Sequence, residues 1–299
     1  MTTGPTTTLA SGASRAVCAA AVGAAEQAVA ASSSSKPIDE FWKKQIAEQT
    51  RDGWYSKAIS YWDKQEASVE GVLGGFGYTS VQDLRESKRL LQMLRGRPDL
   101  NLSFNHVLDC GAGIGRISEG LLFEEFGKVD LLEPCRKLFE EARRKHGDKI
   151  TRYFQKSLQD FKFEEREQEI VVSGTGSATS STTPLQYDCI WNQWVLLYLT
   201  DDDLIRYLQK CKQHLKASSG FLFIKENVLI RPTRSPEAAP KEWEVYSKGL
   251  ELDEDDNGVT RSDERYRELF AMAGMELVCA LRQTNWPKDL FPIYMYVLR

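Results

Sequence analysis

The sequence predicts an α/β fold built on a doubly wound, mostly parallel sheet, and three observations carry that reading. Beyond Asn105, strand-like and helix-like stretches alternate. The first strand, at His106, runs into a turn with glycines at alternate positions. The last two strands are joined by a Pro-containing loop with no helix, which predicts an antiparallel hairpin and not a crossover.

The first 36 residues are rich in Ala, Ser and Thr, with Arg15, Glu26 and Lys36 as the only charges. Such a segment cannot build a core and is expected to be a disordered tail. Its poverty in acid resembles an organelle targeting peptide, to which one arginine before Lys36 gives thin support, and its Ala-rich run is too short and weakly apolar to cross a membrane. Residues 37–299 are expected to form one domain: a helical cover over 37–98 and an α/β core over 105–299. In the cover, Phe41, Trp42, Ile46, Trp54, Tyr55, Ala58, Tyr61 and Trp62 recur at helical spacing. The Gly-rich stretch 71–77 reads as a loop, and helical periodicity resumes over 81–94.

In the core, strands are predicted at 106–110, 128–133, 150–155, 187–194, 220–227, 275–282 and 293–299, with helices at 115–126, 135–146, 201–216 and 261–273. Glu164–Gln186 and Leu229–Ala239 are dominated by turn formers and read as loop insertions without chemistry. A net charge of −4 argues against dominant binding to nucleic-acid phosphates. Six cysteines without a CxxC pair and three histidines without ligand spacing predict reduced thiols, in cytosol or nucleus, and no metal site.

The stretch His106–Arg116, HVLDCGAGIGR, is where ligand chemistry is expected. Gly111 and Gly113, with Gly115, let a ligand approach the backbone, and the helix that follows offers unpaired N–H groups. Glu133 ends the next strand, 22 residues after Gly111, where a carboxylate can accept hydrogen bonds from both hydroxyls of an adenosine ribose. Two nucleotide classes fit this much. Dinucleotide enzymes want a small residue at position 116 for close packing, whereas Arg116 suits the carboxylate of S-adenosylmethionine.

Beyond the glycine loop, further blocks are similar to one family, the protein N-terminal α-amino methyltransferases. They are YSKAISYW (55–62), GVLGGFG (71–77), LDCGAGIGRIS (108–118), SLQDF (157–161), YDCIWNQWVLLYLTDDDL (187–204), GFLFIKEN (220–227), DEDDNGVTR (253–261) and IYMYVLR (293–299). The resemblance implies a Rossmann-like class I methyltransferase fold with seven strands, S-adenosylmethionine as cofactor, and protein substrates that begin with a small residue, then Pro, then Lys or Arg. It places Gly111, Gly113 and Arg116 at the methionine end of the cofactor, Glu133 at the ribose, Leu158 and Gln159 at the adenine and Gln193 near the sulfonium. On the peptide side it places Leu73 and Gly74 at the entrance, Trp194 on the substrate proline, Asn227 on the backbone near the α-amine and Asp253 opposite the basic third residue, with Trp62 also among the substrate-binding residues. The family's targets imply cytoplasmic and nuclear residence.

A free α-amine is mostly protonated at neutral pH, so a carboxylate beside it can attract the ammonium and accept its proton. Asp256 is the candidate, with Asn227 and Tyr198 beside it. Tyr198 stands where the well-known members carry a histidine, and a phenol is a poor base that can still orient an amine by hydrogen bonding. Gly258 stands for a usual serine, and Phe291 for a usual tyrosine. A small-molecule amine methyltransferase and a non-catalytic cofactor- and N-terminus-binding module are the rival readings. Nucleic-acid methylation is disfavoured because the strand-four segment reads NQW, without the Asn/Asp-Pro-Pro-aromatic motif of adenine-N6 enzymes.

Overall fold

Strands form where every second apolar side chain can be buried on the same face, and here both faces are covered. The computed structural model describes residues 35–163 and 184–299, so most of the expected tail and of the Glu164–Gln186 loop lie outside the described residues. Strands β1 (His106–Cys110), β2 (Lys128–Leu132), β3 (Arg152–Phe154), β4 (Cys189–Gln193) and β5 (Phe221–Leu229) are parallel, in the order β3-β2-β1-β4-β5. Two short strands follow, β6 (Leu250–Leu252) and β7 (Val259–Ser262), and then β8 (Leu277–Arg282) and β9 (Ile293–Leu298). β9 lies antiparallel to β5, with β8 antiparallel beyond it. This is the expected doubly wound sheet with its antiparallel terminal strand.

Alternation along the strands sorts the core into two layers. Leu108, Ile190, Leu222 and Ile224 face helices α1 (Ser35–Gln49), α2 (Arg51–Lys64), α5 (Asp201–His214) and α7 (Asp263–Met272). Val107, Cys189, Trp191, Phe221 and Phe223 face α3 (Ser80–Arg95) and α4 (Arg136–His146). Side-chain oxygens cap several of these helices: Thr50 accepts from the N–H of Gly53, Thr200 from Asp203 and Ser262 from Arg265. The strand order reverses between β1 and β4, and the crevice at their carboxyl ends is where open α/β sheets bind ligands.

The structure departs from the sequence expectations in four places. The described sheet has nine strands, not seven. The additional pair, β6 and β7, forms an antiparallel hairpin, and β7 pairs in parallel with Val228 and Leu229 of β5. The helix expected over 261–273 therefore starts only at Asp263, because Val259–Ser262 bond as a strand. The helix expected over 115–126 is present over 116–125, but its middle, Ser118–Leu122, is π-helical and not α-helical. Gly120 lies within it, and a Cβ there would come within 2.6 Å of Leu84 on α3. Helix α6 (Pro240–Lys248) was not expected at all; proline at its first turn and Gly249 in the left-handed conformation at its end bound it.

The hairpin is bolted to the core by Arg261 on β7. This fully buried guanidinium donates to Asp201 Oδ1 at 2.8 Å and to the carbonyls of Leu196 and Leu199 at 3.4 and 2.5 Å. Arg261→Ala leaves Asp201 with one of its two arginines and removes the side-chain donor from the Leu199 carbonyl, while the Leu196 carbonyl keeps the Leu199 N–H. We expect a loss of roughly 3–5 kcal/mol in urea unfolding, the range for breaking a buried ion pair from one side.

Candidate active site

A cavity of about 930 Å³ opens at the carboxyl ends of β1, β4 and β5. Fifteen residues singled out from the sequence line it: Gly111, Gly113, Arg116, Glu133, Leu158, Gln159 and Gln193 from the cofactor set, and Trp62, Leu73, Gly74, Trp194, Tyr198, Asn227, Asp253 and Asp256 from the peptide set. Gly115, also expected beside the ligand, does not; it makes room for His146, whose Nε2 would lie 2.5 Å from a Cβ there.

At one end the chain makes a cradle of bare backbone. Gly111 and Gly113 have φ of 63° and 57°, a region that suits glycine, and a Cβ on Gly111 would lie 2.4 Å from Val195. Glu133 accepts from the backbone N–H of Gly113 through Oε2 and of Cys135 through Oε1, both at 2.8 Å. Each oxygen keeps a lone pair for a second donor, as the two hydroxyls of a ribose require. Burial raises the Glu133 carboxyl above its ordinary value against those two hydrogen bonds. Asp109, at the end of β1, is pushed up to about 7 by burial although Ser118 donates to it at 2.6 Å. The glycine cradle, the two open lone pairs of Glu133 and a guanidinium at the same end fit a nucleoside carrying a carboxylate.

That guanidinium is held from the helical cover. Arg116 Nη1 donates to Asp83 Oδ2 at 2.8 Å and to Ser80 at 3.2 Å, both on α3. The Gln193 amide donates to both oxygens of Asp83 at 2.9 Å, and the fully buried Lys225 on β5 pairs with Asp83 and donates to Ser87. Burial works to raise the Asp83 carboxyl, but the charges of Lys225 and Arg116 override it and hold the group below its ordinary value. Asp83 thus fixes two predicted cofactor residues at once.

The peptide end is built on the turn that leaves β4. Trp194 sits there at φ 52°, which a bulky side chain adopts only when its surroundings impose it. Those surroundings are specific. The Trp194 N–H donates to the Lys225 carbonyl at 3.0 Å, and the next two N–H groups, of Val195 and Leu196, donate to Glu226 Oε1 at 2.9 and 2.8 Å. Burial pushes the Glu226 carboxyl up to about 8, so at neutral pH it is mostly protonated.

Tyr198 closes the same turn. Its hydroxyl accepts from Trp62 Nε1 at 2.7 Å and donates to Asp256 Oδ2 at 2.9 Å. Its one proton is therefore directed to Asp256. Burial, and then the Asp256 charge, push the phenol well above its ordinary value. Asp256 lies in the loop of the β6–β7 hairpin, where Oδ1 accepts from the Gly258 N–H at 2.7 Å. Burial, reinforced by Asp253 and Asp255, raises its carboxyl above the ordinary value despite those bonds. A Cβ on Gly258 would stand 2.7 Å from Leu197 and 2.8 Å from Asp256 Oδ1, which accounts for glycine where the family usually has serine. The loop is clipped onto the cover: Asn257 donates to Gln49 and to the Trp54 carbonyl, and Lys57 to the Glu254 carbonyl.

Asp83, Lys225, Glu226 and Trp286 are the residues that sequence reasoning missed. Adjacent charges in the apolar strand 221–229 were a usable sign of Lys225 and Glu226, since a strand covered on both faces buries only satisfied charges. Asp83 sits on a helix rich in charge, where nothing local distinguishes it.

A family profile described as AdoMet dependent proline di-methyltransferase matches residues 50–299. The alpha N-terminal protein methyltransferase 1 of Dictyostelium discoideum is 35% identical over 272 residues, covering 87% of this chain and 86% of that protein. The N-terminal Xaa-Pro-Lys N-methyltransferase 1-B of Xenopus laevis is 31% identical over 249 residues, covering 82% and 95%. Among solved structures, a SAM-dependent methyltransferase from Leishmania major superposes with a TM-score of 0.70 at 32% identity, covering 88% of this chain and 91% of that one.

The buried Glu226 gives stability a defined pH dependence. Its folded value of about 8 lies above the roughly 4.3 of an unfolded glutamate, so its contribution is fully present below the lower value and is lost as pH rises through the upper one. Glu226→Gln keeps an oxygen for the Val195 and Leu196 N–H groups and cannot ionise. Between pH 5 and 8 the urea midpoint of the variant should rise relative to wild type; midpoints that move in parallel would contradict the assignment.

Proposed function

The chain belongs to the AdoMet dependent proline di-methyltransferase family, and from that premise we propose that it methylates the free α-amine of proteins beginning with a small residue, Pro and Lys or Arg, using S-adenosylmethionine. The observation that carries the reading is a single cavity with Glu133 and the glycine cradle at one end and Trp194, Asn227 and Asp256 at the other. Two reactants held there meet without leaving the protein.

When bound, S-adenosylmethionine supplies a methyl carbon already activated by its sulfonium, so the protein's work is to position the reactants and deliver a neutral amine. Gly111, Gly113, Arg116 and Glu133 hold the cofactor, with Leu158 and Gln159 beside its base. Trp194 packs on the substrate proline, and Asn227 holds the backbone next to the amine. Asp256 attracts the α-ammonium and accepts its proton, while Tyr198 and Gly258 fix the carboxylate by occupying one lone pair on each oxygen. Glu251, Asp253, Glu254 and Asp289 also line the cavity, and this acidic wall favours a lysine or arginine at the third position.

Mass spectrometry of a Ser-Pro-Lys-initiated peptide incubated with the protein and S-adenosylmethionine tests the reading. Methyl groups should appear on the free peptide and not on the same peptide acetylated at its N-terminus. Asp256→Asn should lower the rate by roughly 10²–10⁴-fold, the range for a lost general base, with S-adenosylhomocysteine affinity unchanged. Because the α-amine loses its proton at about 7.7–8.0, kcat/KM should climb from pH 6 toward roughly pH 8.

A further inference from the structure

Indole N–H groups are donors only, and when shielded from water they are normally matched to an acceptor. Four of the seven tryptophans obey this within the protein: Trp54 and Trp62 donate to Tyr198, Trp191 to Gln193 and Trp243 to the Arg234 carbonyl. Trp42, Trp194 and Trp286 do not: their Nε1 atoms are buried without a hydrogen-bond partner. Trp42 lies outside the cavity, on α1, whereas Trp194 and Trp286 both line it, with ring centroids 6.3 Å apart. Trp194 is placed at the substrate by the family resemblance, whereas nothing assigns a role to Trp286.

Trp286 is also firmly placed. It lies in the loop between β8 and β9, which α3 holds from outside: Thr284 donates to Glu86 at 3.0 Å, and Gln82 donates to the Thr284 carbonyl at 3.3 Å. The Gln283 N–H donates to the Ile293 carbonyl at 2.8 Å, tying the loop to β9, where Ile293 pairs with Asn227. A buried donor held beside the proposed peptide end calls for an acceptor on the ligand.

The proposed substrate offers acceptors of that kind. A chain that begins X-Pro has no backbone N–H at its second residue, so apart from the α-amine the polar backbone groups of its first two residues are carbonyl oxygens. Walls that recognise it must supply donors. We infer that Trp286 is a substrate-binding residue whose indole N–H donates to a backbone carbonyl in the first two residues of the bound peptide. This rests on the functional reading above and adds to it a donor by which the site distinguishes an X-Pro peptide from a simple amine.

The test compares wild type with Trp286→Phe, which keeps an aromatic ring and removes the N–H, in steady-state methylation of the Ser-Pro-Lys peptide. KM for the peptide should rise roughly 3–10-fold, as for loss of one neutral hydrogen bond, with a smaller change in kcat and unchanged S-adenosylhomocysteine affinity by calorimetry. Trp286→Leu, which also lacks the N–H, should raise KM at least as far and provides the same readout if the Phe variant does not fold. Wild-type KM in a folded variant overturns the inference, as does an equal loss of cofactor affinity. If wild type itself leaves the peptide unmethylated, the functional reading falls and takes the inference with it; wild-type turnover with unaltered KM in the variants removes the inference alone.

Discussion

The site depends on how the chain turns after β4. The Trp194 N–H makes the last bond of the β4–β5 ladder, to the Lys225 carbonyl, and the next two N–H groups, of Val195 and Leu196, leave the ladder. One oxygen of the buried Glu226 takes both. Arg261 collects the carbonyls of Leu196 and Leu199 on the far side, and Trp54 Nε1 donates to the carbonyl of Tyr198. With its backbone satisfied, the turn can hold Trp194 in an unfavourable left-handed conformation and direct Tyr198 at Asp256. Glu226 is adjacent in sequence to Asn227, so the strand that supplies the clamp also supplies a residue of the cavity wall.

A second constraint ties the helical cover to the cofactor end. Asp83 on α3 is the shared anion for Arg116, Gln193 and Lys225, which come from three different segments of the core. Taking one carboxylate and two cations out of water is costly unless each is paired, and this arrangement pairs them with one another and with Ser80 and Ser87. The cover is therefore part of the proposed cofactor site and not only a lid over the sheet. The same logic applies at the other end, where Asn257 and Lys57 clip the acidic hairpin to α1 and α2.

The mostly parallel sheet with its antiparallel terminal strand, and the glycine turn facing Glu133, were legible in the sequence because they rest on local signals: alternation of apolar residues, glycines at the end of a strand, and an acid at the end of the next. The proposed peptide residues were singled out only through family blocks, since Trp194 and Asp256 look like ordinary core and surface residues in isolation. What could not be read was set by contacts distant in sequence. The β6–β7 hairpin consists of three- and four-residue strands, too short for a period to emerge, and its contacts to the core, β7 on β5 and Arg261 on Asp201, join residues far apart in the chain. Asp83 and Trp286 acquire their roles from partners more than thirty residues away or from a cavity wall. Tyr198 was visible as a departure from the family, but only its geometry gives its proton to Asp256 and its acceptor lone pair to Trp62.

A crystal structure with S-adenosylhomocysteine and a Ser-Pro-Lys peptide would show directly where the two ligands meet. The ribose hydroxyls should lie on Glu133 and the peptide's α-nitrogen beside the Asp256 carboxylate, in line with the cofactor sulfur. A peptide bound with its lysine side chain at Asp256, or a nucleoside lying away from Glu133, would contradict this placement.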